Sequence, residues 1–153
     1  PLQIFFLNKR FEMYKDSINH PASIMDRSIV EDRIFAKMLR DQGELNDKEY
    51  DIYVDLFSNM MEHVNPPTLM VYLRIKTENV IERIKRRGRK YELEQSINYW
   101  YDLNSNYEVF FGEYSWSRLL VIDVDELDFV NNDTDKDHII NLIEDHVSVP
   151  QTV

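Results

Sequence analysis

The chain has no cysteine and only three glycines, Gly43, Gly88 and Gly112. Without cysteine, disulfides and thiolate metal sites are excluded. With glycine so sparse, a phosphate-cradling G-x-x-x-x-G-K-[ST] loop cannot be written anywhere in the sequence. No apolar run approaches membrane-spanning length, and nothing at the start reads as a signal peptide, so a soluble, cytoplasmic protein without a membrane partner is expected. Basic residues are the minority, 18 Lys and Arg against 28 Asp and Glu, for a formal net charge of −10. A phosphate backbone needs a broad basic footprint, so no nucleic-acid partner is expected either. The four histidines show no metal-ligand spacing. The acidic run Asp123, Asp125, Glu126 and Asp128 lacks the glycine and terminal glutamate of an EF-hand.

What the chain does have is one concentrated patch of positive charge. Arg83, Lys85, Arg86, Arg87, Arg89 and Lys90 fall within a few residues of one another, with Gly88 among them and Glu92 after them. In an acidic protein such a patch suggests a small anionic ligand met at one place. Arginine stays charged and its planar fork matches phosphate oxygens. A lid over a polyphosphate, at about residues 85–95, is one reading; a solvated basic helix end, favoured by the helix dipole, is the other.

The length of 153 residues predicts a single domain. Hydrophobic periodicity predicts helices over 2–18, 29–39, 47–63 and 96–114, one capped by Thr77 that carries Val80, Ile81 and Ile84 on its apolar side and ends in the cation cluster, and a last one capped by Thr134. The first has too many apolar residues for one stripe and is expected to be buried on two sides. Gln3 and Arg10, two turns apart, fall on one face of it. Short apolar runs at 22–25, 69–73 and 119–122 predict three buried parallel strands, hence an α/β sheet covered on both faces. Residues 147–153 read as a frayed tail. At the end of the first strand, Asp26, Arg27, Glu31, Asp32 and Arg33 form a dense charged cluster. Either it caps the following helix with surface ion pairs, or it is a site at the carboxyl end of a strand.

Four blocks, LQIFFLNKRF, MDRSIVEDRIF, YLR…ERIKRRGRKYE and IDVDELDF, occur in this order and cover nearly the whole chain. Together they resemble the deoxynucleoside kinases, in particular the bacterial deoxyadenosine/deoxyguanosine type. The resemblance implies a P-loop kinase-like three-layer α/β/α fold with a parallel sheet. It implies transfer of the ATP γ-phosphate to the 5′-hydroxyl of a deoxynucleoside in nucleotide salvage, with ATP and Mg²⁺ as cofactors. In that family Gln3 would hydrogen-bond the base, Arg10 and Asp32 would line the base pocket, and Phe35 would pack on the base. A charged Arg–Asp pair there favours purines. Asp26 would hold Mg²⁺ and Arg27 the 5′-oxygen region. Arg83, Arg87 and Arg89 would stabilise the transferring phosphoryl group, Glu92 would bind the sugar 3′-hydroxyl, and Asp128 and Phe129 would lie beside the donor adenine. A homodimer through helices 2–18 and 47–63 is expected.

The family's phosphate loop and its general-base glutamate precede everything in this sequence. The chain is therefore expected to be N-terminally incomplete, and these 153 residues by themselves to be inactive. Two rival readings use the same residues. A nucleoside monophosphate kinase would need cations for the acceptor phosphate, whereas the acceptor-side set here is mixed in charge. A non-catalytic nucleotide-binding module would bind without turnover.

Overall fold

The computed structural model describes residues 2–17, 19–20 and 22–148. They divide into two compact units, residues 1–65 and 66–153.

The first unit is helical. Helix α1 spans Leu2–Ser17, a 3₁₀ turn covers Ile29–Glu31, and α2 (Asp32–Asp41) and α3 (Asp47–Met61) follow. Along α1 the stripe that turns inward is Gln3, Leu7, Arg10, Tyr14 and Ser17, spaced by alternate fours and threes, and only Leu7 and Tyr14 in it are fully buried. The expected burial on two sides is not found: Leu2, Phe5, Phe6 and Met13 are exposed on the helix's other side, because one helical stripe can face one core. Ser28 closes a capping box, its hydroxyl accepting from the Val30 N–H while Glu31 accepts from the Ser28 N–H. Asn46 and Glu49 do the same for α3. Tyr53 and Phe57 form the buried edge of α3.

Residues 22–25 are not a strand. Ile24 is fully exposed, and the sheet among the described residues has two strands. A strand exists through its ladder, and four residues with only two large apolar side chains bury too little to hold one. The Ser23 hydroxyl instead donates to the carbonyls of Ser17 and His20, tying the segment back to the end of α1. Ile18, Pro21 and the tail at 149–153 lie outside the described residues.

The second unit carries the parallel pair β1 (Met70–Arg74) and β2 (Leu119–Asp123), in register Met70↔Leu119 through Arg74↔Asp123. Between them run α4 (Thr77–Arg87), the single-turn α5 (Lys90–Leu93) and α6 (Ile97–Gly112); α7 (Asp133–Ser148) closes the chain. Alternation sends the side chains to both faces. Tyr72 stacks on Phe111 of α6 at 4.2 Å between ring centroids, and also on Tyr107. On the opposite face Leu120, Ile122 and Val124 pack with Ile139 of α7, and Leu142 and Ile143 fill in beside them. This gives the helix–sheet–helix layering expected of the parallel sheet. Two caps differ from expectation. Thr77 lies just inside α4, buried, where it accepts from the Asn104 side chain, and α7 is capped by Asn132, which accepts from the Thr134 N–H.

Candidate functional site

In the first unit two of the sequence-predicted residues, Arg10 and Asp32, form a buried ion pair. Arg10 Nε donates to Asp32 Oδ1 at 2.7 Å, and both side chains are largely out of water, with Asp32 only 4% exposed. Asp32 sits in the first turn of α2 because the capped 3₁₀ turn before it fixes where that helix starts. Burial pushes the Asp32 carboxyl above its ordinary range, and the Arg10 charge opposes this. Its second oxygen, Oδ2, is buried and has no hydrogen-bond partner. Gln3 is half-buried on the same stripe of α1 as Arg10.

Arg27 departs from ordinary backbone geometry. Its φ is 67°, the left-handed region, in a residue with a Cβ. That turn places its guanidinium over the Phe35 ring, 5.1 Å from the centroid. Strain held in a charged, exposed residue is the kind that accompanies a functional turn. Asp26 beside it is exposed. No group of three or more His, Asp or Glu side chains among the described residues is placed to hold a metal. A lone exposed carboxylate suits Mg²⁺, which keeps several waters and takes its other ligands from substrate phosphates.

In the second unit the residues expected to form a lid are engaged with one another. Gly88 ends α4 in the left-handed conformation, φ 71°, and turns the chain into α5. Glu92 is thereby carried, buried, against the arginines. Arg87 Nε donates to Glu92 Oε2 at 3.0 Å, and Arg87 Nη2 reaches both carboxylate oxygens at 2.7 Å. Arg89 Nη1 lies 3.6 Å from Glu92 Oε1.

Arg83 does not point out with these two. Its Nη2 donates to the carbonyls of Val124 and Leu127, at 2.6 and 3.0 Å, and its guanidinium lies over the Phe129 ring at 5.6 Å. Arg83 therefore fastens α4 to the loop after β2. The Asp128 carboxylate accepts from Asn131, which holds its carboxyl below the usual range. A cleft of about 520 Å³ opens here, lined by Val80, Arg83, Arg87, Trp100, Asp128 and Phe129 among others. A more polar cleft of about 410 Å³, lined in part by Asn79, Glu82, Asp125 and Glu126, adjoins it across Arg83 and Asp128. The acidic run is spent locally: Asp123 takes both arms of Arg74, and Asp125 accepts from the Lys76 N–H and from Asn79.

Two residues of these sites carried no functional signal in the sequence. Trp100 reads as one apolar position of α6, yet it lines the larger cleft. Tyr53 reads as core, yet its hydroxyl is a buried polar atom without a partner.

Comparison with known proteins spans both units. The family profile described as deoxynucleoside kinase covers residues 1–148. A deoxyguanosine kinase of Lactobacillus acidophilus is 33% identical over 153 residues, covering 94% of this chain and 67% of its own length. A deoxyadenosine/deoxycytidine kinase of Bacillus subtilis is 33% identical over 146 residues, with 93% and 67% covered. Among solved structures, deoxyadenosine kinase from M. mycoides with bound dATP superposes with a TM-score of 0.79 at 34% identity, covering 93% of this chain and 72% of that one. The chain thus spans about 67% of the length of the curated relatives compared.

Proposed function

The chain belongs to the deoxynucleoside kinase family, and from that premise we propose that it transfers the γ-phosphoryl group of Mg·ATP to the 5′-hydroxyl of a purine deoxynucleoside, in nucleotide salvage. The observation that carries the substrate class is the buried Arg10–Asp32 pair. It fixes a donor and an acceptor side by side, and the N7 and exocyclic group of a purine can use both. Relatives named for deoxyguanosine, deoxyadenosine and deoxyadenosine/deoxycytidine support the same class. The last of these keeps a 4-aminopyrimidine as the second reading.

On this proposal Gln3 and Phe35 complete the base site, Arg27 holds the 5′-oxygen region, and Asp26 holds Mg²⁺ through water. Phosphoryl transfer leaves little covalent work to the protein, so catalysis is positioning and neutralisation of charge. Arg87 and Arg89 supply that charge from a lid, which also excludes water when closed. Arg83, held by two carbonyls and stacked on Phe129, serves the donor side: with Asp128 and Trp100 it shapes a cleft suited to a flat heterocycle. Glu92 selects the sugar 3′-hydroxyl. A cytoplasmic homodimer is part of the proposal; the exposed Leu2, Phe5, Phe6 and Met13 of α1 and Ile52 of α3 are its candidate interface.

The test is an ATP-coupled phosphorylation assay of the natural protein with deoxyadenosine, deoxyguanosine, deoxycytidine and thymidine. Turnover of a purine deoxynucleoside is expected. Turnover of thymidine alone would overturn the argument from Arg10 and Asp32. These 153 residues by themselves contain no phosphate-cradling loop and are expected to bind nucleoside without phosphorylating it.

A further inference from the structure

Two buried polar atoms of the first unit stand without hydrogen-bond partners, Asp32 Oδ2 and the Tyr53 hydroxyl. Their residues are 3% and 2% exposed, so water does not satisfy these atoms from outside. They belong to elements that pack on each other, Asp32 opening α2 and Tyr53 in the middle of α3. We propose that Tyr53 is a positioning residue for base recognition: its hydroxyl donates to Asp32 Oδ2 through one enclosed water, and so keeps Asp32 a pure acceptor that selects bases carrying the 6-amino group of a purine or the 4-amino group of a pyrimidine. This rests on the deoxynucleoside kinase reading and refines it from purines to 6-aminopurines and 4-aminopyrimidines.

The chemistry follows from proton inventory. An ionised carboxylate only accepts; a protonated one also donates. Asp32 Oδ1 already takes one proton from Arg10 Nε and keeps a lone pair for a base amine. If Oδ2 stays bare, the buried carboxyl has reason to pick up a proton, and its O–H then suits a 6-oxo base. A donor at Oδ2 removes that reason. The phenol is a fit donor because burial, and then the Asp32 charge, raise its pKa above the ordinary value, so it keeps its proton throughout the working range. The other charged groups that act on Asp32 are Arg10 from α1, Arg27 from the loop before the 3₁₀ turn, and Glu31 from that turn. The two arginines favour the ionised form and Glu31 opposes it.

The test compares deoxyadenosine and deoxyguanosine as substrates of the natural protein and of Tyr53→Phe, which removes only the hydroxyl. The ratio of kcat/KM for deoxyadenosine over deoxyguanosine is expected to fall by about tenfold, as for a lost hydrogen bond to a buried charge, mostly through KM. The acid limb of the deoxyadenosine profile is expected to move to higher pH. Equal losses with both nucleosides and an unmoved profile would mean that Tyr53 only packs, and would overturn the proposal. Should Tyr53→Phe fail to fold, 3-fluorotyrosine placed at position 53 keeps the ring and strengthens the donor. The ratio is then expected to rise, and an unchanged ratio overturns the proposal. A natural protein that phosphorylates no deoxynucleoside would instead overturn the kinase reading on which this rests.

Discussion

Removing Arg10 tests whether the Arg10–Asp32 pair is held in a dry environment. Arg10→Met keeps most of the side chain's length and deletes its charge. Asp32, 4% exposed, then loses the charged donor at its Oδ1 and remains buried. Breaking a buried pair from one side costs about 3–5 kcal/mol. Arg10 retains some solvent contact at 17% exposure, which places the expected cost near the lower end, about 3 kcal/mol. Asp32 can escape part of this by taking a proton. Its carboxyl pKa is then expected to rise further above its ordinary range, because the opposing Arg10 charge is gone. The sign is fixed by linkage: a carboxyl whose folded-state pKa is raised stabilises the fold below its unfolded pKa and loses that contribution as pH rises through the folded one. The variant's deficit is therefore expected to be full at pH 7.5 and clearly smaller at pH 4.5. Urea unfolding followed by circular dichroism at both pH values measures it, and adding Asp32→Leu is expected to recover most of the loss. A deficit below about 1 kcal/mol, the size of a surface pair, would refute the reasoning, as would equal deficits at the two pH values.

Glu92→Gln is expected to free Arg87 from its bidentate partner, lowering KM for ATP while raising KM for the deoxynucleoside; parallel changes in both would contradict the assigned roles. Gly88→Ala is expected to cost about 1–2 kcal/mol in thermal unfolding, from the left-handed backbone alone, because an added Cβ meets nothing within 4 Å. Gly88→Asn should lose less, and a neutral Gly88→Ala would show that the α4–α5 turn relaxes freely.

Much of the second unit was legible in the sequence. The runs at 69–73 and 119–122 are apolar throughout and separated by a clear helical period, and both became strands within a residue of their expected limits. The run at 22–25 has the same local character, yet a strand is made by its ladder, and local composition does not say whether one is present. The capping box at Ser28 and Glu31 satisfies the cap reading of the charged cluster, while Arg10 reaching Asp32 is the contact on which the proposed site rests. Arg83 was legible as a cation but not as the partner of two carbonyls, because those oxygens belong to a loop more than 40 residues away. Tyr53 was hidden for a different reason. A tyrosine on a buried stripe looks like core from its ring, and only the missing partner at its hydroxyl separates it from Phe57 one turn along.

The bond between Arg87 and Glu92 also bears on which anions could operate the proposed lid. The carboxylate is tethered five residues away, so it competes for the guanidinium at a local concentration set by the chain and not by the solution. Buffer phosphate or a stray carboxylate arriving alone gains one contact and must displace two. A chain of phosphates brings several oxygens at once and meets Arg89 in the same encounter. On the proposed lid reading the segment acts as a valency filter: it discounts ligands by how many charges they present together, and the discount is set by a contact inside the protein.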